Sequence, residues 1–161
     1  MCHGGRASGR RVTYELAARI VLAALALLLC YQFDWTFLRS LTLEWNLRLD
    51  ALFGVHLQRI SSDTVLWNGS TYRYVIACTF ADVWCAALPL IWNVRTRVSE
   101  NLLLLALFTP ALLAFNIFRL SISDALVAAG LSWNVGHNVI SGLSYFVIWE
   151  FVRRRMKQVK T

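Results

Sequence analysis

Charge is scarce in this chain: Asp, Glu, Lys and Arg make up 16% of its 161 residues, against about 25% in an ordinary soluble domain. Acidic residues are the scarcest, nine against sixteen Lys and Arg. No low-complexity segment and no internal repeat stands out. With 58% apolar residues, above the usual roughly 45–50%, the composition excludes a disordered chain and a coiled coil. The four cysteines do not make a disulfide framework, because Cys30 and Cys85 lie inside apolar runs. No CxxC or HxxxH ligand spacing occurs, so neither a metal nor another cofactor is expected.

What the chain has in quantity is long apolar stretches. A spanning helix needs about 20 mostly apolar residues, within a range of about 17–25. Four windows approach this, about 16–33, 75–94, 102–120 and 138–152. They predict an all-α integral membrane protein with four transmembrane helices, forming one membrane domain over 1–161.

The net charge of +7 would suit nucleic acid or a membrane topology, and placement decides between them. Before the first window lie Arg6, Arg10 and Arg11, with Arg19 one turn into it. Arg95 and Arg97 separate the second and third windows, and Arg153, Arg154, Arg155, Lys157 and Lys160 follow the fourth. The other connections balance Arg39, Arg48, Arg59, Arg73 and Arg119 against Asp34, Glu44, Asp50, Asp63 and Asp124. Basic residues near helix ends mark the cytoplasmic side. The expected topology therefore has both termini inside, a cytoplasmic tail over 1–15, an extracytoplasmic loop over 34–74 and a basic cytoplasmic tail over 153–161. The expected partner is the lipid bilayer and not nucleic acid. A bulky Leu29 before Cys30 and the lack of a small-x-small site make the first window a retained helix rather than a signal peptide.

In the outer loop, Leu38, Leu41, Trp45, Leu49 and Leu52 fit a helix face, while Leu41, Leu43, Trp45, Leu47 and Leu49 fit strict alternation. The favoured reading is an amphipathic helix in the membrane surface, with Trp35 and Trp45 at headgroup depth. The following TVLWNGSTYRYV reads as a β-hairpin, because Asn68-Gly69 is a preferred pair for a two-residue turn.

Ionisable groups at membrane depth default to functional candidates: Asp82, Arg119, Asp124, His137 and Glu150, with thiols at Cys30, Cys78 and Cys85. Cys78 to Arg95 and Leu102 to Arg119 each span 17 residues, a rise of about 25 Å at 1.5 Å per residue. An antiparallel hairpin would return Arg119 to the depth of Cys78, where His137 opens the next helix. A Cys, a His and an Arg at one depth suffice for acyl transfer. The thiolate attacks, helped by a neighbouring cation, the imidazole moves the proton, and the guanidinium stabilises the oxyanion. Asp82, one turn below Cys78, could orient His137 or pair with Arg119. Asp124 is expected to cap or open a short helix over 123–130 ending at Gly130. Glu150 is expected to pair with the basic tail, and Cys85 to lie two turns below Cys78 without a partner.

Ala77-Cys78-Thr79, Asn116-Ile117-Phe118-Arg119 and Gly136-His137 together resemble the exosortase/archaeosortase family of prokaryotic membrane cysteine transpeptidases. Its pattern is a Cys followed by Ser or Thr, then Asn-x-x-Arg, then His, near the outer membrane face. The resemblance covers about 60–155. It implies a prokaryotic cell (inner) membrane location and an extracytoplasmic active site. Its implied substrates are C-terminal sorting signals of exported proteins, each a short motif, a transmembrane helix and a basic tail. Cys78 would form a thioester with the substrate, which a lipid or glycan acceptor would resolve. His137 would act as general acid/base, Arg119 would stabilise the oxyanion, and Asn116 would orient Arg119, with Thr79 and Asp82 in support. Where the family commonly has Gly after the Cys-Ser/Thr pair, this chain has Phe80. Two other readings stay open: a non-enzymatic membrane subunit with a structural Arg119–Asp82 pair, and an ion or proton pathway through Asp82, Arg119 and His137.

Overall fold

A computed structural model of the chain describes residues 5–158, with side chains over 14–157. The side chains of Arg6, Arg10 and Arg11, and all of Lys160, lie outside the described residues. Among the described residues there are five α-helices and a three-stranded antiparallel sheet. In chain order they are α1 (Gly5–Cys30), α2 (Thr36–Leu52), β1 (Gln58–Arg59), β2 (Thr64–Trp67), β3 (Ser70–Arg73), a single 3₁₀ turn (Ile76–Cys78), α3 (Ala81–Ile91), α4 (Val98–Ala128) and α5 (Trp133–Gln158).

This architecture overturns the four-span expectation. Among the described residues one helix, α4, is long and apolar enough to cross a membrane. The window 75–94 shows why apolar content misleads. Its first part is a 3₁₀ turn, the chain then takes a left-handed step at Phe80 (φ 56°), and α3 that follows has 11 residues. At 1.5 Å per residue that is about 16 Å, roughly half the hydrocarbon thickness of a bilayer. Pro89 lies in its last turn, where a missing N–H weakens any continuation. The window 102–120 is also misjudged, in the other direction. The helix does not stop at Arg119 but runs unbroken from Val98 to Ala128 and past Pro110. Asp124 is therefore interior to α4 and neither caps nor opens a short helix. The chain leaves α4 through Gly130 at φ 101°, a left-handed conformation that glycine accepts at little cost.

Asn68 (φ 48°) and Gly69 (φ 77°) turn the β2–β3 hairpin, both with the positive φ that a tight hairpin turn needs. β1 adds on the far side of β2. Asp63 ties this sheet to α2: one carboxylate oxygen accepts from Arg39 at 2.7 Å and from Arg73 at 3.0 Å. The Arg73 bond first, then the Thr64 and Ser61 hydroxyls, hold its carboxyl below the usual range against the opposing effect of burial.

α2 is helical, and the side it turns to the rest of the protein is not the apolar stripe read for a membrane surface. Thr42, Leu43, Asn46 and Asp50 point inward, while Trp45 and Leu52 are exposed. The helices pack as α1 on α3, α4 on α5, α2 on α4 and α3 on α5. Two apolar cores result. Phe80, Ala87, Ile91, Leu112, Ile148 and Val152 join α3, α4 and α5. Leu43, Val65, Tyr74 and Leu120 join α2, the sheet and α4, with Cys78 packed against them. The short segment from Cys78 to Phe80 thus bridges the two cores.

Candidate functional site

Cys78 closes the 3₁₀ turn, its amide donating to the Val75 carbonyl at 2.9 Å. Thr79 makes the junction to α3. Its hydroxyl donates to the Ile76 carbonyl at 2.7 Å and accepts from the Ala81 amide at 3.2 Å. Thr79 therefore shapes the backbone around the thiol. Phe80 then adopts the left-handed conformation that a glycine would take most readily. Its ring is almost fully buried, lies 4.6 Å beneath the Arg119 guanidinium and meets Tyr145 at 5.5 Å. Burial and the cation–ring contact offset a strain of about 1–2 kcal/mol.

Asn116 and Arg119, one turn apart on α4, hold this segment from behind. The Asn116 amide donates to the Cys78 carbonyl at 2.6 Å, and its oxygen accepts from Arg119 Nη2 at 3.1 Å and Nε at 3.3 Å. Arg119 Nη1 donates to Ser141 Oγ of α5 at 2.6 Å. Asn116 thus bonds both the Arg119 guanidinium and the backbone of Cys78.

Among the described residues Arg119 has no carboxylate partner within ion-pair distance. Asp82 accepts instead from the Tyr31 hydroxyl at 3.1 Å and from the Val83 amide at 2.8 Å. Neither the Arg119–Asp82 pair nor an Asp82–His137 bond is formed.

Cys78 and His137 open onto one cavity of about 270 Å³, together with Asp124, Leu120, Tyr74 and Trp133 among others. Arg119 does not line it; the guanidinium sits one layer behind, through Asn116. His137 lies in the second turn of α5, which begins at Trp133 rather than at His137. Gly136 before it lets α5 approach α4 closely, because a Cβ there would meet Val127 at 3.3 Å. The imidazole stacks on Trp133 with ring centres 5.0 Å apart and planes 11° from parallel. Its Nδ1 is buried without a hydrogen-bond partner among the described residues.

Burial raises the Cys78 thiol above its ordinary value, against the opposing pull of the Val75 amide bond and the Arg119 charge. Burial, and then Arg119, lower His137. Both shifts favour neutral partners at rest, so the thiol is not the preformed thiolate that a nearby cation alone would produce.

The chain also carries a polar cluster that sequence patterning did not single out. Asn46 Nδ2 donates to Asp50 at 2.5 Å, Ser121 at 3.1 Å and Asp124 at 3.3 Å, and Asn46 Oδ1 accepts from the Tyr74 hydroxyl at 3.0 Å. Burial pushes the Asp50 carboxyl up to about 6. The i,i+4 spacing of Asn46 and Asp50 on α2 was the available signal, masked by the more apolar stripe through Trp45. Ser141 and Trp133 were missed because neither is ionisable. Cys85 is not alone: it lies close enough to Cys30 at the end of α1 to help raise that thiol above its ordinary value, after burial. Glu150 pairs with Arg153 and Arg154, at 2.6 and 2.8 Å. Among the described residues no group of three or more His, Cys, Asp or Glu side chains is gathered to hold a metal.

No family model matches this chain, and no curated protein or solved structure matches it either.

Proposed function

We propose that this chain is a membrane-associated cysteine peptidase of the transpeptidase type, processing C-terminal sorting signals of exported proteins. One observation carries the reading: a thiol and an imidazole share a small cavity, with a buried guanidinium held behind the thiol. Cys78 gives its proton to His137 as its sulfur attacks the scissile carbonyl carbon. The carbonyl oxygen gains negative charge within the field of Arg119, which acts more strongly in a dry site than in water. The C–N bond then breaks, the imidazolium returns the proton to the leaving amine, and a thioester remains on Cys78. A hydroxyl or amine of a lipid or glycan acceptor, or water, resolves it. The acceptor's proton passes through His137 back to the Cys78 sulfur. The neutral resting pair fits this order, with the thiolate formed only as His137 accepts its proton.

Membrane association is supported by α4, of whose most apolar 18-residue window only 17% is buried. A core helix of a water-soluble domain would be covered. The resemblance in Cys78-Thr79, Asn116-x-x-Arg119 and His137 supplies the substrate class and the prokaryotic cell membrane as location, with the site on its outer face.

The test is co-expression with a fusion protein ending in a short motif, an apolar helix and a basic tail. The wild-type chain is expected to shorten the fusion, and Cys78→Ala to leave it intact at equal expression. Full processing by the alanine variant would overturn the assignment. Mass spectrometry of the new C-terminus separates transfer from hydrolysis.

A further inference from the structure

Among the described residues, the His137 ring meets an aromatic ring and no hydrogen-bonding side chain holds its Nδ1. In most Cys–His sites a third group bonds the imidazole and fixes its plane. Here Nδ1 has no such partner among the described residues, and Asp82, the carboxylate nearest in sequence to Cys78, is engaged with Tyr31. What touches the ring is Trp133, one helical turn earlier on α5. The separation of 5.0 Å and the 11° between planes make a face-on stack, within the roughly 6 Å at which an aromatic face attracts a cation.

Trp133 is itself gripped by the hairpin. Tyr72 of β3 lies 4.9 Å from it at 38°, and Trp67 of β2 lies 6.5 Å away, edge-on at 72°. Tyr72 and Trp67 also meet each other, at 6.1 Å. Trp67 and Tyr72 are cross-strand diagonal neighbours in a register that pairs Trp67 with Ser70 and Val65 with Tyr72. Three rings therefore form a bracket joining the sheet to α5, and the imidazole is its last layer.

We propose that Trp133 is a positioning residue for His137, holding the imidazole plane toward the Cys78 cavity and presenting its π face to the ring when that ring carries a proton. The role rests on the reading of His137 as the acid/base of this site. Its chemical logic concerns the intermediate state. While Cys78 is a thiolate or a thioester is forming, the imidazole is cationic, and the nearby Arg119 charge opposes that. An indole face offsets part of the opposition without supplying a competing hydrogen-bond acceptor, and so does not draw the proton away from the leaving amine. The other titratable or charged groups around the ring are Cys78 of the 3₁₀ turn, Tyr72, Arg73 and Tyr74 of β3 and its extension, and Asp124 of α4, all on the same cavity wall. Asp124 is committed to the Asn46 cluster, and Arg73 to Asp63.

The experiment is an NMR titration of the His137 ring in the full chain, purified in detergent, with the resonance assigned by its loss in His137→Gln. Fluorinated tryptophans placed at position 133 alone reduce the π-face charge with little change in size. The midpoint is expected to fall stepwise with fluorine number, by about half to one pH unit across the series. Trp133→Leu is expected to move the ring-proton signal downfield, as the ring current is lost. A midpoint that stays constant across the fluorinated series, or a Trp133→Leu spectrum with the signal unmoved, overturns the proposal. No substrate is needed, so the outcome is separate from the processing assay. Processing by Cys78→Ala would remove the proposed activity and leave the titration standing. An unmoved titration in a processing-competent chain would remove only the role of Trp133.

Discussion

At the scale of single residues, the most constrained position is Phe80. It combines a backbone conformation that suits glycine, a nearly fully buried ring and a guanidinium 4.6 Å above that ring. Phe80→Ala deletes the ring and keeps a side chain at positive φ, and is expected to cost about 3–5 kcal/mol. Phe80→Gly deletes the same ring and relieves the backbone, and should be less harmful by about 1 kcal/mol. Denaturant unfolding of both variants reads the difference directly; a glycine variant no more stable than the alanine one would argue against the left-handed step. The sequence displays this site only through its resemblance, in which a glycine is common at the position. A phenylalanine by itself carries no sign of positive φ, because the strain is offset by contacts with Arg119 and Tyr145, far along the chain.

At the scale of elements, α2 and α4 are joined by a polar seam rather than an apolar one. Asn46, Asp50, Ser121 and Asp124 meet there, and Asp50 Oδ1 is buried without a partner among the described residues. An acid whose folded value is raised binds its proton more tightly in the folded state. Below pH 4 both states are protonated and no penalty exists. As pH rises from about 4 to about 6 the unfolded chain loses the proton first, so folding loses stability across that window and stays lower above it. For a carboxyl raised to about 6 the loss is on the order of 2–3 kcal/mol. Asp50→Asn removes the titration and keeps the shape. Its stability relative to wild type is expected to be near zero at pH 4 and about 2–3 kcal/mol favourable at pH 8, measured by thermal unfolding. An equal difference at both pH values would show that the seam carries no proton cost. Local devices of these elements are legible in the sequence: the Asn68–Gly69 turn, the glycine exit at Gly130 and the pairing of Glu150 with the residues after it. Helix ends inside apolar runs are not: Phe80 reads as one more apolar residue although the chain turns left-handed there, and Arg119 reads as a stop although α4 runs through it.

At the scale of the molecule, buried polar residues and exposed apolar ones accompany the two apolar cores. Asn46, Asp50, Asn116, Arg119, Ser121 and Ser123 are inside. Leu22, Leu28, Phe37, Leu103, Leu107, Phe146 and Trp149 are outside. Exposed apolar residues in this number suit contact with lipid or a partner, and buried polar groups must be satisfied within the fold. The chain is expected to remain with the membrane fraction after an alkaline wash and to leave it only with detergent. Release by alkali would remove the lipid surroundings proposed for the site. The candidate trio is legible as residue types in order along the chain. What the sequence did not show is their arrangement in layers: Cys78 and His137 face one cavity, while Arg119 stands behind the backbone that carries the thiol.

The sequence by itself determined what depends on neighbours a few residues away. That includes the hairpin turn, the helical nature of most of the chain, the apolar character of α4 and the presence of a thiol, a guanidinium and an imidazole in that order. Only the tertiary structure decided which of these meet. The contacts of Asn46 with Asp124, of Trp67 and Tyr72 with Trp133, and of Cys30 with Cys85 join residues far apart in sequence, and each depends on how one element is placed against another. Periodicity names the faces of a helix. Which face turns inward is set by the packing of all the elements at once, and on α2 that packing chose the polar face over the apolar stripe.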